Sequence, residues 1–233
     1  MPAKLPPALL ALSPGTLVDG AAADAFLQQA KELIREGLRG VLLREPNLGD
    51  ADLLWLAREL KGALANTQDE TAWLGVHDCL HVALAAGADG AHLGFRSLEV
   101  KSARRVLGPD VCLGVSTHQG DAPAKWDGAD YVFHSPVFST PSKEGLLDPI
   151  GPGELFAFAE LLEEAGAPRL FGLGGITPKN CAEVLGKDGE GLPLGVAVRG
   201  ALFESDNARS NLAELLAVLR THQVSDNQTE STG

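Results

Sequence analysis

Cations, a carboxylate, hydroxyls and paired glycines stand at the ends of short apolar runs in this chain, a distribution suited to holding a phosphorylated small molecule. Arg44 closes the run Val41-Leu42-Leu43. A guanidinium there is a planar fork matched to phosphate or pyrophosphate, and the alternative is a salt bridge to neighbouring Glu45. Asp78 follows His77 at the end of Trp73-Leu74-Gly75-Val76; it is a hard ligand for a hard cation such as Mg2+, or the cap of a helix opening at Cys79. The segment Ser139-Thr140-Pro141-Ser142-Lys143 sets the hydroxyls of Thr140 and Ser142 and the ammonium of Lys143 around a proline-stiffened turn, which makes either an anion cradle or a solvated loop. Gly174 and Gly175 lie between an apolar run and Thr177-Pro178, and Arg199-Gly200 repeats the pattern one run later. Such turns let backbone N–H groups approach a phosphate without interference from a Cβ. His77, His118 and His134 are candidate acids or bases by position, although a lone histidine is more often a hydrogen-bonded structural residue.

Positioning these groups requires a scaffold that brings the ends of many strands together. Eight short apolar runs read as strands: Ala8–Leu12, Gly40–Leu43, Trp73–Val76, Gly90–Leu93, Cys112–Val115, Tyr131–Phe133, Leu170–Leu173 and Gly195–Val198. Between and after them fall amphipathic segments near 21–36, 50–65, 79–86, 98–107, 120–127, 152–165, 178–184 and 207–221, with Asp50, Ser97 and Thr177 as N-caps and Pro178 at a first helical position. Repeated β-then-α units predict a (β/α)8 TIM barrel, whose chemistry sits at the C-terminal strand ends. An open doubly wound sheet, the competing architecture, calls for a glycine-rich dinucleotide fingerprint after an early strand, and none is present. The reading is one barrel domain over 1–221 and a polar, aperiodic tail over 222–233. The stretch Ser135–Gly153 exceeds its neighbours in length, as a lid over a site would.

At 233 residues the chain can bury one large core. Its net charge of −12, without a Lys/Arg stripe, argues against nucleic acid or an anionic membrane as partner. Small phosphorylated ligands remain compatible, because a few placed cations and amides hold a phosphate locally. Three scattered cysteines without ligand spacing suit reduced thiols in the cytoplasm. The apolar run at 8–12 is too short for a signal sequence, and no run approaches the length of a membrane span. Self-assembly is left open.

In order and in register, the chain resembles thiamine phosphate synthase and its relative thiazole tautomerase. The motifs are Val41-Leu42-Leu43-Arg44-Glu45, His77-Asp78, Gly87-Ala88-Asp89-Gly90-Ala91-His92-Leu93-Gly94, Leu113-Gly114-Val115-Ser116-Thr117-His118, Ser135-Pro136-Val137-Phe138-Ser139-Thr140-Pro141-Ser142-Lys143, Gly172-Leu173-Gly174-Gly175-Ile176 and Gly195-Val196-Ala197-Val198. The resemblance implies a transferase of thiamine biosynthesis that joins a pyrimidine pyrophosphate to a thiazole phosphate and releases pyrophosphate. It assigns Arg44 and Lys143 to pyrophosphate, Asp78 to Mg2+, Ser116 to the pyrimidine or pyrophosphate, Thr140 and Ser142 to the thiazole phosphate, and Gly175 to holding that phosphate.

This chain departs from the synthase pattern inside the site. The family's Gln-x-Arg-Glu-Lys is Leu42-Leu43-Arg44-Glu45-Pro46, its Asn-Asp is His77-Asp78, and its second Mg2+ carboxylate falls on Ser97. Arg199 replaces a residue that is usually apolar, and is able either to strengthen anion binding or to pair with an acid on the rim. Two further readings follow: a metal-independent thiazole phosphate tautomerase, whose catalytic histidine aligns with Pro136 so that His134 would stand in for it, or a catalytically silent barrel that binds a phosphorylated precursor.

Overall fold

The computed structural model describes residues 3–140, 147–164, 168–186 and 194–229. Eight parallel strands close into a barrel in sequence order: β1 (Leu9–Leu12), β2 (Gly40–Leu43), β3 (Trp73–His77), β4 (Gly90–Leu93), β5 (Cys112–Thr117), β6 (Tyr131–His134), β7 (Arg169–Leu173) and β8 (Leu194–Val198). Around them lie α1 (Gly20–Arg35), α2 (Asp50–Ala65), α3 (Leu80–Ala86), α4 (Val100–Leu107), α5 (Gly151–Glu164), α6 (Cys181–Leu185), α7 (Gly200–Phe203) and α8 (Ala208–Thr229). A single 3-10 turn, Pro123–Lys125, replaces the helix expected near 120–127, and α8 continues to Thr229 rather than yielding to a tail at 222.

Successive side chains of each strand point alternately into the barrel and out toward the helices. The inward set is Leu10, Leu12, Leu42, Trp73, Cys112, Tyr131, Phe133, Phe171 and Ala197, a buried cluster separate from the larger one between strands and helices. Three rings dominate it: Trp73 and Tyr131 meet edge-on at 5.9 Å, and Tyr131 and Phe171 at 5.8 Å. They fit because glycine occupies the inward positions beside them. A Cβ at Gly75 or Gly90 would strike Trp73, at Gly114 Tyr131, and at Gly195 Phe171. Leu42, where the resembled family carries an amide, belongs to this apolar plug and is fully buried.

The alternation corrects one expected site residue. Tyr131 and Phe133 point inward, so His134 points outward, where its ring stacks on Phe158 of α5 at 4.1 Å and its Nδ1 lies 2.9 Å from the Thr117 hydroxyl. Thr117 already donates to the Phe133 carbonyl, so Nδ1–H is the donor to Thr117, and Nε2 is left without a partner. Burial pushes the His134 pKa down to about 4. A neutral imidazole packed between sheet and helix does not serve the barrel mouth.

Two outcomes follow. Gly114→Ala places a methyl against the Tyr131 ring and should lower the free energy of unfolding by about 1–3 kcal/mol, read from the urea midpoint. Between pH 6.5 and 4 the unfolded chain protonates His134 while the folded one resists, so its contribution is fully present above about 6.5 and is lost as pH falls toward 4. His134→Phe should therefore flatten the stability profile in that window by about 1.4 kcal/mol per pH unit, seen in urea titrations at successive pH values.

Candidate active site

Continuing the alternation past the last paired residues puts Arg44 above Leu42, and Arg199 above Ala197, on the inner side of the C-terminal rim. Register sets His77 opposite His92, and Ser116 opposite Phe133, at the same end. The interior is thus apolar below and polar only at its mouth. Arg44 is exposed, and its guanidinium makes no ion pair among the described residues. Its Nη1 would lie 3.1 Å from a Cβ at Gly15, whose φ of +80° belongs to glycine. Glu45 does not pair with it: the buried carboxylate accepts from the N–H groups of Gly15 (2.8 Å) and Leu17 (2.9 Å), clamping the loop after β1 beneath the arginine.

Asp78 adopts the left-handed region, φ +61°, which few residues other than glycine occupy. That turn folds its carboxylate back across the end of β4. Oδ2 lies 3.1 Å from His77 Nδ1, while Oδ1 accepts from the Gly94 N–H at 3.3 Å and from the Ser97 hydroxyl. Burial alone would raise its pKa, but the bonds from His77 and Ser97 outweigh this and hold the carboxyl well below the usual range. Ser97 therefore caps no helix; α4 begins at Val100 after Glu99.

Ser116 is held by a buried relay that the sequence reading missed. His92 is 1% exposed, with Nδ1 3.2 Å from the Tyr131 hydroxyl and Nε2 2.9 Å from Ser116 Oγ. Burial, then the neighbouring His77, drives the His92 pKa far down, and burial drives that of Tyr131 far up, so both are neutral. The phenol must donate, and His92 Nδ1 is the polar atom it meets. Nε2 then carries the imidazole proton and donates to Ser116 Oγ, which leaves the serine hydroxyl proton to be directed elsewhere. Two-residue alternation along β4 was the available signal: it sets His92 inward, opposite His77.

On the other side of the mouth, the segment after β6 lies along the end of β7, with Val137 N–H on Leu173 O (2.9 Å) and Phe138 N–H on Gly174 O (3.0 Å). Gly174 (φ +107°) and Gly175 (φ +64°) need glycine twice over, because any Cβ would also meet Pro136 or Phe138 at 2.8 Å. Asn180 fixes the turn by donating to Gly175 O and accepting from Thr177 N–H. Thr140 follows Ser139, whose carbonyl packs on Gly175; Ser142 and Lys143 lie outside the described residues. Arg199 pairs with Glu204 at 3.0 Å, and Gly200 opens the four-residue α7 beside that carboxylate. His118 is turned toward Asp121, its Nδ1 3.9 Å from the carboxylate. A cavity of about 600 Å3 between α1 and α2, remote from this rim, is cationic through Lys31, Arg35, Arg39 and Arg58. Three of these are engaged: Lys31 with Glu59, Arg39 with Asp69, and Arg58 with the Ala85 carbonyl.

The donor set does not fit a resident Mg2+. That ion demands near-octahedral oxygen and commonly takes one or two carboxylates together with water and substrate phosphates. Here both oxygens of the Asp78 carboxylate already accept from the protein, and no cluster of three metal-ligating side chains exists among the described residues.

If His92 orients Ser116, then Ser116→Ala and His92→Phe should each weaken inorganic pyrophosphate binding by about 10–150-fold, one hydrogen bond of about 1.5–3 kcal/mol to a charged ligand. The double variant should lose no more than Ser116→Ala alone, which calorimetric titration of all four proteins will show.

Known proteins resemble this chain in sequence and in fold. A family model described as thiamine monophosphate synthase matches residues 16–201. The putative thiamine-phosphate synthase of Geobacter sulfurreducens is 38% identical over 185 residues, covering 78% of this chain and 82% of that protein. The thiamine-phosphate synthase of Moorella thermoacetica is 38% identical over 184, covering 76% and 84%. The thiamine biosynthesis bifunctional protein ThiM/ThiE of Symbiobacterium thermophilum is 36% identical over 212 residues, which is 90% of this chain but 42% of that relative, so the chain spans less than half of it. A thiamine phosphate pyrophosphorylase from Pyrococcus furiosus shares the fold, with a TM-score of 0.74 at 23% identity over 94% of this chain and 98% of that one. On the strength of the matched span and these identities, the chain belongs to the thiamine monophosphate synthase family.

Proposed function

We propose that this protein is a transferase of thiamine biosynthesis that joins a pyrimidine pyrophosphate to a thiazole phosphate and releases pyrophosphate. The observation that carries the reading is the polar mouth of an otherwise apolar barrel: an Arg44 guanidinium without an ion pair among the described residues on one side and the glycine turn of Gly174 and Gly175 on the other. In this reading the bond between the pyrimidine methylene carbon and pyrophosphate oxygen breaks first, with the electron pair leaving on oxygen. The thiazole nitrogen then donates its lone pair to the cationic carbon. Arg44 and Lys143 take up the charge that develops on the leaving group, and Ser116 directs its hydroxyl proton toward the pyrimidine or pyrophosphate. Thr140, Ser142 and the amides at Gly174, Gly175 and Gly200 hold the thiazole phosphate, while Arg199 is tied to Glu204. His77 borders the mouth.

Three free cysteines and the lack of any described helix able to cross a membrane suit a reaction in the cytoplasm on soluble phosphorylated substrates. Mg2+ has no step in this account, given the donors around Asp78. The tautomerase alternative loses its acid-base residue, because His134 faces α5.

Incubating the protein with both substrates should yield thiamine phosphate and pyrophosphate, resolved by chromatography. Arg44→Ala should lower kcat/KM by about 10–150-fold, one charge-assisted contact of about 1.5–3 kcal/mol. Tight binding of both substrates without product would replace the enzyme with the silent binding barrel.

A further inference from the structure

We infer that the β3–β4 end of this site, which the family resemblance gives to a divalent cation, is an internal clamp here, and that the protein binds its anionic ligand without such an ion. The inference rests on the proposed function only for placing a pyrophosphate at the rim; the clamp itself stands on geometry. Three observations converge on Asp78. Its backbone is held at φ +61°, a conformation that turns the carboxylate back over β4. Its two oxygens are divided among His77 Nδ1, the Gly94 amide and the Ser97 hydroxyl, three donors from two strand ends. Ser97 also accepts from the Gly94 N–H, so the turn Gly94–Ser97 closes on itself around that carboxylate.

A cation seated on Asp78 would have to displace these donors. It would find no cluster of three metal-ligating side chains among the described residues and, at Ser97, a neutral hydroxyl where the family pattern puts an acid. Mg2+ gives up water reluctantly and repays that loss through anionic oxygen, which a serine does not supply. His77 compounds the change: where the pattern has an amide able to offer an oxygen, an imidazole sits 3.1 Å from the carboxylate and points its other edge, Cε1 and Nε2, at Gly94. A metal-ligating corner has become a hydrogen-bonded tie between neighbouring strands, and Asp78 is a positioning residue. The cation's task of holding negative charge falls to Arg44, which has no ion-pair partner among the described residues.

The test uses the full chain and two probes. Mn2+ alone, followed by the loss of its free electron paramagnetic resonance signal, should bind the native protein no more tightly than millimolar. Ser97→Asp, which restores the second carboxylate, should bind it at least tenfold more tightly. Inorganic pyrophosphate in excess EDTA should still bind the native protein, and Arg44→Ala should weaken it at least tenfold. As a separate readout, Asp78→Asn should speed amide exchange over residues 94–97. Micromolar Mn2+ binding to the native protein that vanishes in Asp78→Asn would overturn the inference, as would Ser97→Asp with no gain. Pyrophosphate that fails to bind with or without Mg2+ counts against the proposed function, while the Mn2+ measurement still decides the clamp.

Discussion

The constraint on which this molecule depends is that a closed parallel barrel sends every second side chain into one narrow interior. Trp73, Tyr131 and Phe171 fill that interior because Gly75, Gly90, Gly114 and Gly195 vacate the neighbouring inward positions. Once the floor is closed by rings, the next inward residue on each strand has nowhere to go but the mouth. Arg44 above Leu42 is the plainest case, and Ser116 beside Phe133 another. The rim is polar because the layer below it is so thoroughly apolar.

That arrangement explains how single residues acquire direction. His92 sits just above the rings, buried enough to stay neutral, with Tyr131 below it and Ser116 above. The core phenol therefore sets the polarity of a hydroxyl at the mouth. Glu45 plays the complementary part outside the barrel, turned outward from Arg44 and tying down the loop after β1. Neighbours along one strand do opposite work because the pleat sends them to opposite faces.

Much of the scaffold was legible from residue types. The eight apolar runs lie within a residue or two of the eight strands, since short runs buried on both faces leave little room for other readings. The positions of Arg44, Asp78, Ser116 and Gly175 at strand ends followed from the same count. What escaped was anything set by which face a side chain takes. His134 looked like a mouth residue because it ends β6, yet one step of alternation turns it into the helical layer against Phe158. Ser97 looked like a cap because it precedes a helical pattern, whereas the left-handed Asp78 reaches it from another strand, a contact no local pattern encodes. The segment near 120–127 forms only one turn because Pro123 opens it and Gly128 (φ +87°) follows it closely.

The central claim is that one ring of inward residues gathers the ligand's phosphoryl groups at the C-terminal mouth. A crystal structure of the protein with inorganic pyrophosphate tests it most directly. The account predicts phosphorus density against the Arg44 guanidinium, inside the ring formed with Ser116 and Gly175. Density held instead in the cationic groove between α1 and α2, with the mouth holding only water, would contradict it.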